Sequence, residues 1–211
     1  MDKKYDIKVQ REGFKSLFAS CYIPDKVKIK EVKVLSLAGI DNDGLAYSSI
    51  SISFHDPDQV NNFYEIIITE VSNENAKYRL WTNDKIITSE SFYPSILSFD
   101  KKMLNRLLFN DKQIKDDIKK IIVYFSPEQE ISKGQQKIKF SYIDVYLRSV
   151  SEEYYKYCTT LIQHQYNQKG DFFYGLGEPL NVFSNVEGGY GIFAGFQNEA
   201  LTCIVDSVNV N

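Results

Sequence analysis

From Val27 the chain reads Val-Lys-Ile-Lys-Glu-Val-Lys-Val, apolar side chains set against charged ones. That is the pattern of a β-strand with one face on a core and the other in water. It constrains the fold because the same signal recurs along the chain. Tyr5, Ile7 and Val9 alternate with Asp6 and Lys8, Glu12-Gly13 offers a turn, and residues 14–23 form a return strand ended by Pro24. Further strands are expected over 47–55, with Ile50, Ile52 and Phe54 on one face, and over 62–71, 78–81, 85–89, 121–125 and 137–148. In the last, Ile138, Phe140 and Tyr142 share a face with Val145 and Leu147 only if the register changes near Asp144, which marks a bulge. Asp41-Asn-Asp-Gly44 reads as a turn, since Asx side chains bond their own backbone and Gly accepts positive φ. Strands separated by turns at intervals of roughly ten residues predict an antiparallel, immunoglobulin-like β-sandwich. An aromatic content of 14%, with 15 Tyr and 14 Phe, suits such half-buried pleated surfaces.

One helix is expected, over about 150–168. Ser149 followed by Glu152 matches a capping box, with Ser151 and Glu153 assisting at the positive end of the helix dipole. Tyr154, Tyr157, Cys158, Leu161 and Ile162 then recur at spacings of three and four, so the helix packs on the sheet, and Gly170 ends it. A second helical pattern covers 101–108. The chain therefore reads as mainly β with one packed α-helix.

Charge separates function classes. A formal net charge of -3 gives no drive toward nucleic acid or an anionic membrane surface. Its distribution is uneven: residues 1–35 hold nine Lys/Arg and five Asp/Glu, a balance of 9 - 5 = +4. After Lys169 only acids remain, Asp171, Glu178, Glu187, Glu199 and Asp206. Cys21, Cys158 and Cys203 lack C-x-x-C spacing, and His55 and His164 do not complete a zinc set, so neither a metal nor another cofactor is implied. A bridge between Cys158 and Cys203 is open, and one thiol is free in any case. No apolar stretch approaches the roughly 18–20 residues that span a bilayer. Met1-Asp-Lys-Lys-Tyr-Asp6 does not lead into the apolar core of a signal peptide, which by itself reads as cytoplasmic.

The candidate chemistry is thin. Gly188, Gly189, Gly191 and Gly195 invite a phosphate-loop reading, yet they miss the G-x-G-x-x-G spacing and no G-K-[ST] follows. They fit hairpin turns better, with Tyr190, Ile192 and Phe193 packing between them. Asn185 and Glu187 could present polar groups to a ligand, although Asn also bonds its own loop. The neighbours Asp116/Asp117 and Glu152/Glu153 point apart, whereas glycosidase carboxyls must face one cleft about 5–5.5 or 6.5–9.5 Å apart. His55 and Asp56 have no G-x-S-x-G nucleophile to serve and sit at a strand end before Pro57. Phe172, Phe173 and Tyr174, in the loop between the helix and the Gly-rich block, offer aromatic faces to a sugar or a protein partner.

The strand, then Leu147-Arg-Ser-Val-Ser-Glu-Glu-Tyr-Tyr-Lys-Tyr157, then Glu178-Pro-Leu-Asn-Val-Phe-Ser-Asn-Val-Glu-Gly-Gly-Tyr-Gly-Ile-Phe-Ala-Gly195, resembles domain-of-unknown-function family 4249. Phe54-His-Asp-Pro57 with Asn62-Phe-Tyr64 is similar to that family's aspartate-proline and asparagine-tyrosine pair. The resemblance covers about residues 27 to 205. It implies a non-enzymatic, lipid-anchored outer-membrane or cell-surface protein of Bacteroidetes-type bacteria, accessory to a TonB-dependent nutrient transporter. A glycan-binding surface module of the same system is the alternative, and nucleic acid is not an expected partner. It further implies a chain missing its upstream part: residues 1–26 would be the last hairpin of an upstream β-sandwich, and 27–211 the domain proper. The membrane would then be reached only through an N-terminal lipid anchor that this chain does not carry.

Overall fold

The computed structural model describes residues 3–41, 46–57, 61–71, 73–84, 105–112, 118–127, 137–138, 141–170, 180–205 and 208–209. The architecture is an antiparallel β-sandwich with one helix among the described residues. Its strands are β1 (Lys3–Val9), β2 (Leu17–Ile23), β3 (Ile29–Ile40), β4 (Ala46–His55), β5 (Phe63–Glu70), β6 (Asn73–Trp81), β7 (Leu107–Asn110), β8 (Ile118–Pro127), β9 (Lys137–Ile138), β10 (Ser141–Val150), β11 (Phe196–Val205) and β12 (Val208–Asn209). The helix, α1, spans Glu152–Gly170.

A continuous eight-stranded sheet runs β11-β10-β5-β6-β8-β4-β3, with β7 also paired to β5. It folds into two layers at β6. The first part of that strand pairs with β5 through Thr69 opposite Lys77, and its last part pairs with β8 through Leu80 opposite Phe125. A strand that changes layers makes a sandwich corner without leaving an open edge there. Between the layers lie Ile50, Ile52 and Phe54 of β4, Tyr64, Ile66 and Ile68 of β5, Ile121, Val123 and Phe125 of β8, and Ile143, Val145 and Leu147 of β10. Each set follows the period of two that puts alternate side chains on one face. Phe54, from one layer, meets Tyr64 of the other at 5.1 Å between ring centroids.

The strand readings over 47–55, 78–81 and 121–125 fall within β4, β6 and β8, and the reading over 62–71 contains β5 with one extra residue at each end. Four expectations are corrected. Strand β10 keeps one register from Ser141 to Val150, without a bulge at Asp144. Ile143, rather than Tyr142, is its core residue, and Tyr142 is half exposed. Residues 107–108 belong to β7, not to a helix; Leu107 and Leu108 are buried because β7 pairs with β5, so tertiary pairing overrides the local helical spacing. Ser149 is still in β10 and its hydroxyl accepts from Val27 N at 3.2 Å, so it cannot cap the helix. Ser151 does that, accepting from Tyr154 N at 3.2 Å. The expected strand over 85–89, the turn residues 42–44 and the Asp116/Asp117 pair lie outside the described residues, as do residues 101–104 of the second helical pattern.

Strands β1 and β2 form their own two-stranded sheet, as the alternation of Tyr5, Ile7 and Val9 predicted. No helix among the described residues is long and apolar enough to cross a membrane.

Candidate functional site

Strand β5 is buried on both faces. Tyr64, Ile66 and Ile68 point into the sandwich, while the opposite face carries Phe63, Glu65, Ile67 and Thr69. Helix α1 covers that second face, with the Tyr155 ring 4.9 Å from Phe63. Glu65 is fully buried there, and a buried carboxylate requires partners. It has three. Arg106 Nη1 donates to one carboxylate oxygen at 3.0 Å, and Arg148 Nη1, directly opposite on β10, donates to the other at 3.0 Å. The Tyr154 hydroxyl, on the first turn of α1, lies 3.1–3.2 Å from both oxygens. Arg148 also rests on the Phe196 ring, 4.4 Å from its centroid. One carboxylate and two guanidiniums leave a surplus of one positive charge. Burial alone would lower the Arg106 pKa, but Glu65 overrides it and holds Arg106 protonated. Burial, reinforced by Glu65, pushes the Tyr154 phenol up, so it stays a neutral donor.

Arg106 and Tyr154 form the floor of a cleft of about 640 Å³ between α1 and the Gly-rich block. Leu161 and Ile162 of α1 supply one apolar wall, and Ile192 and Ala194 the other. Asn105 and Gln165 add polar groups at its margins, and Cys158 joins the floor, its Sγ 4.0 Å from Arg106 Nη1. The helical stripe of Tyr154, Tyr157, Cys158, Leu161 and Ile162 thus lines this cleft instead of sealing against the sheet. All three cysteines are free thiols, so Cys158 and Cys203 do not pair. Burial raises the pKa of Cys158, which keeps the thiol protonated.

The Gly-rich block is architectural where it meets the hairpin. Glu187 and Phe18 exchange backbone hydrogen bonds of 2.8 and 3.2 Å, which sets the block against the edge of β2. Gly188 adopts φ +86°, and a Cβ there would come within 2.9 Å of the Ser16 carbonyl oxygen, so only Gly fits. A Cβ on Gly195 would stand 2.4 Å from Ile23 Cδ1. Helix α1 holds the other flank: Thr160 Oγ1 accepts from Phe183 N at 2.9 Å, and His164 Nδ1 donates to Leu180 O at 2.8 Å. Ile192 and Phe193 are partly buried as expected, but Tyr190 is 98% exposed; it projects from the turn instead of packing in it.

Of the ligand candidates, Asn185 has its side-chain amide committed. It donates to Ser20 O at 3.0 Å and Phe193 O at 2.7 Å, and accepts from Phe193 N at 2.8 Å. The Glu187 side chain is exposed on the hairpin side, and neither residue lines the cleft. Phe172, Phe173 and Tyr174 lie outside the described residues. Reading the sequence alone missed Glu65, Arg106 and Arg148. A Glu at a core-adjacent strand position, Glu65 between Tyr64 and Ile66, was the available signal.

A second polar cluster joins the other residues singled out earlier. Asn62 donates its backbone N–H to Asp111 Oδ1 at 2.9 Å and its amide to Asp111 Oδ2 at 3.0 Å, and the same amide reaches Pro57 O at 3.1 Å. The Tyr64 hydroxyl donates to Asp56 in a short hydrogen bond. The Asp-Pro and Asn-x-Tyr residues thus close the loop between β4 and β5 onto the end of β7. Burial raises the Asp56 pKa; the Tyr64 bond opposes that and the Asp111 charge adds to it. A raised folded-state value means that the native state binds this proton more tightly than the unfolded chain. The resulting stability is complete below the ordinary Asp value and is lost as pH rises through the folded value. Asp56→Asn keeps an acceptor for Tyr64 and removes the ionisation. Thermal melts from acid to neutral pH should therefore find the variant gaining on the parent as pH rises. A constant difference across that range would show that Asp56 does not titrate differently on folding.

A family model described as a domain of unknown function (DUF4249) matches residues 1–201. No curated protein and no solved structure matches the chain.

Proposed function

The chain belongs to the DUF4249 family, and on that premise we propose that it is a non-enzymatic binding protein of the cell envelope, accessory to a TonB-dependent outer-membrane uptake system. The observation that carries the binding reading is the preformed cleft between α1 and the Gly-rich block. Apolar side chains of α1 and of the Gly-rich block line it beside the polar groups of Asn105, Arg106, Tyr154 and Gln165, and Arg106 and Tyr154 are held in place by Glu65, which is the usual make-up of a ligand site. The groups around it that could do chemistry are committed elsewhere. Glu65 is fully buried, bound by Arg106, Arg148 and Tyr154, and does not line the cleft, so it is not placed to take a proton from a substrate there. The Cys158 thiol is held protonated, which makes it a poor nucleophile. What is left is recognition. The surplus positive charge behind the floor suits a ligand bearing an anionic or strongly accepting group beside an apolar portion. The envelope and uptake context rests on the resemblance of the Gly-rich block and of the Asp-Pro and Asn-x-Tyr residues.

A glycan-binding module of the same system is the second reading, favoured by Tyr154, Tyr157, Asn105 and Gln165 around the cleft. The test is a pull-down from solubilised outer membranes with the immobilised chain, run beside calorimetry against soluble oligosaccharides. A TonB-dependent transporter retained one-to-one supports the uptake reading. Oligosaccharide binding weakened by Arg106→Ala, without a transporter, selects the second. Turnover of a glycoside or ester that a single carboxylate change abolishes overturns both.

A further inference from the structure

Strand β1 has one hydrogen-bonded neighbour, β2, and none of the other described strands pairs with its far edge. An open edge is a template for another strand, and a lone two-stranded hairpin is marginal until a third strand or a packed face supports it. Here the face is only half supported. Residues directly opposite each other share a face, so Tyr5, Ile7 and Val9 lie beside Cys21, Ala19 and Leu17. Cys21 and Ala19 are buried at 1% and 8%, against the body of the protein, whereas Tyr5, Ile7 and Val9 keep 43%, 41% and 50% exposure. The apolar face thus continues past the part that the molecule covers. On the reverse face β1 presents Lys4, Asp6 and Lys8, next to Tyr22, Ser20 and Phe18.

We propose that β1 pairs antiparallel with β1 of a second copy of this chain, about a two-fold axis through Ile7. The charges exclude centring on Asp6, and the apolar ladder separates the Ile7-centred register from one centred on Tyr5, which also pairs Lys4 with the partner's Asp6. It sets Ile7 against the partner's Ile7 and Tyr5 against the partner's Val9 twice over, three apolar pairs that cover the exposed face. On the reverse face it sets Asp6 against the partner's Lys8, again twice, and opposite charges across a ladder stabilise it. Centring on Asp6 instead would oppose Asp6 to the partner's Asp6 and Lys4 to the partner's Lys8, like charges at each position. Centring on Tyr5 would place Lys3 against the partner's Ile7 on the apolar face and leave Val9 beyond the paired stretch. The self-complementary register turns two marginal hairpins into one four-stranded sheet, β2-β1-β1-β2, through an isologous contact.

The test measures the oligomeric state of the intact chain by sedimentation velocity over a roughly hundredfold concentration range, since assembly follows mass action. A dimer should grow in with concentration. Asp6→Lys, which sets two cations opposite each other, and Lys8→Asp, which sets two anions opposite each other, should each weaken it at least tenfold. The double variant Asp6→Lys/Lys8→Asp should restore it. Both positions are exposed, and far-UV circular dichroism confirms that each variant is folded. Three outcomes overturn the proposal: a parent that stays monomeric throughout, a dimer that both single variants leave intact, or a folded double variant that does not recover. The first would leave the β1 edge to a strand from outside the described residues.

Discussion

Replacing Glu65 with alanine is expected to destabilise the fold by about 3 kcal/mol, the lower end of the roughly 3–5 kcal/mol seen when one member of a buried ion pair is removed. The reasoning rests on what stays behind. Glu65 is fully buried, and it is the charge partner of Arg106 and Arg148, each 3.0 Å away. Without it two guanidiniums face one another across the second face of β5 with no counter-charge, and the Tyr154 hydroxyl loses its acceptor. The lower end is chosen because the arginine side chains keep 32% and 23% of their surface and can turn partly to water. Glu65→Gln retains an acceptor and should cost less. Replacing all three, as Glu65→Leu with Arg106→Met and Arg148→Met, should recover most of the loss, because apolar side chains of similar size avoid the desolvation that the ions incur. Urea unfolding checks the series: a lower midpoint at unchanged slope reports stability alone. If Glu65→Ala shifts stability by less than about 1 kcal/mol, the network is not what fixes the cleft floor, and the preformed site loses its physical basis.

The part of this site that the sequence conceals is its connectivity. Glu65 lies 41 residues from Arg106 and 83 from Arg148, and no local period links them. By contrast β4 was legible because Ile50, Ile52 and Phe54 alternate with serines, and the alternation itself states which face is buried. Strand β5 was legible as a strand but not as one covered on both sides. Its second face reads Phe63, Glu65, Ile67, Thr69, and only α1 above it explains why Glu65 is inside. The phase of β10 was misjudged at Tyr142 because a tyrosine counts as apolar in a pattern yet can sit half in water. The Gly-rich block is legible as turn-forming at Gly188, though not in the exposure of Tyr190, and its partners, Ser16, Phe18 and Ile23, lie more than 160 residues upstream by number. Nothing in a linear reading joins them. The cleft exists because that distant contact holds Ile192 and Ala194 opposite α1.

Phe54→Ala should cost about 3–5 kcal/mol, the range for deleting a buried aromatic side chain whose surroundings collapse incompletely. Collapse is hard at this position. Phe54 is fully buried and packs on Tyr64 at 5.1 Å and Phe109 at 6.4 Å between centroids, so its ring bridges the two layers of the sandwich. Tyr64 in turn is tied by its hydroxyl to Asp56, and the Tyr64 and Phe109 rings stand 5.3 Å apart. A ring held at its far end by a hydrogen bond cannot slide into the space left by its neighbour without breaking that bond. Phe54→Leu keeps most of the volume and should cost roughly 1–1.5 kcal/mol. Tyr64→Phe, which frees the ring but strips Asp56 of a donor, should cost about 1–3 kcal/mol. In the double variant Phe54→Ala/Tyr64→Phe the released ring can fill part of the cavity, so the total should fall short of the sum of the two single losses. Chemical denaturation of the four proteins measures that coupling directly. Strict additivity would mean that the hydrogen bond does not restrain the ring, and the Asp-Pro and Asn-x-Tyr residues would then need a role other than bracing the sandwich.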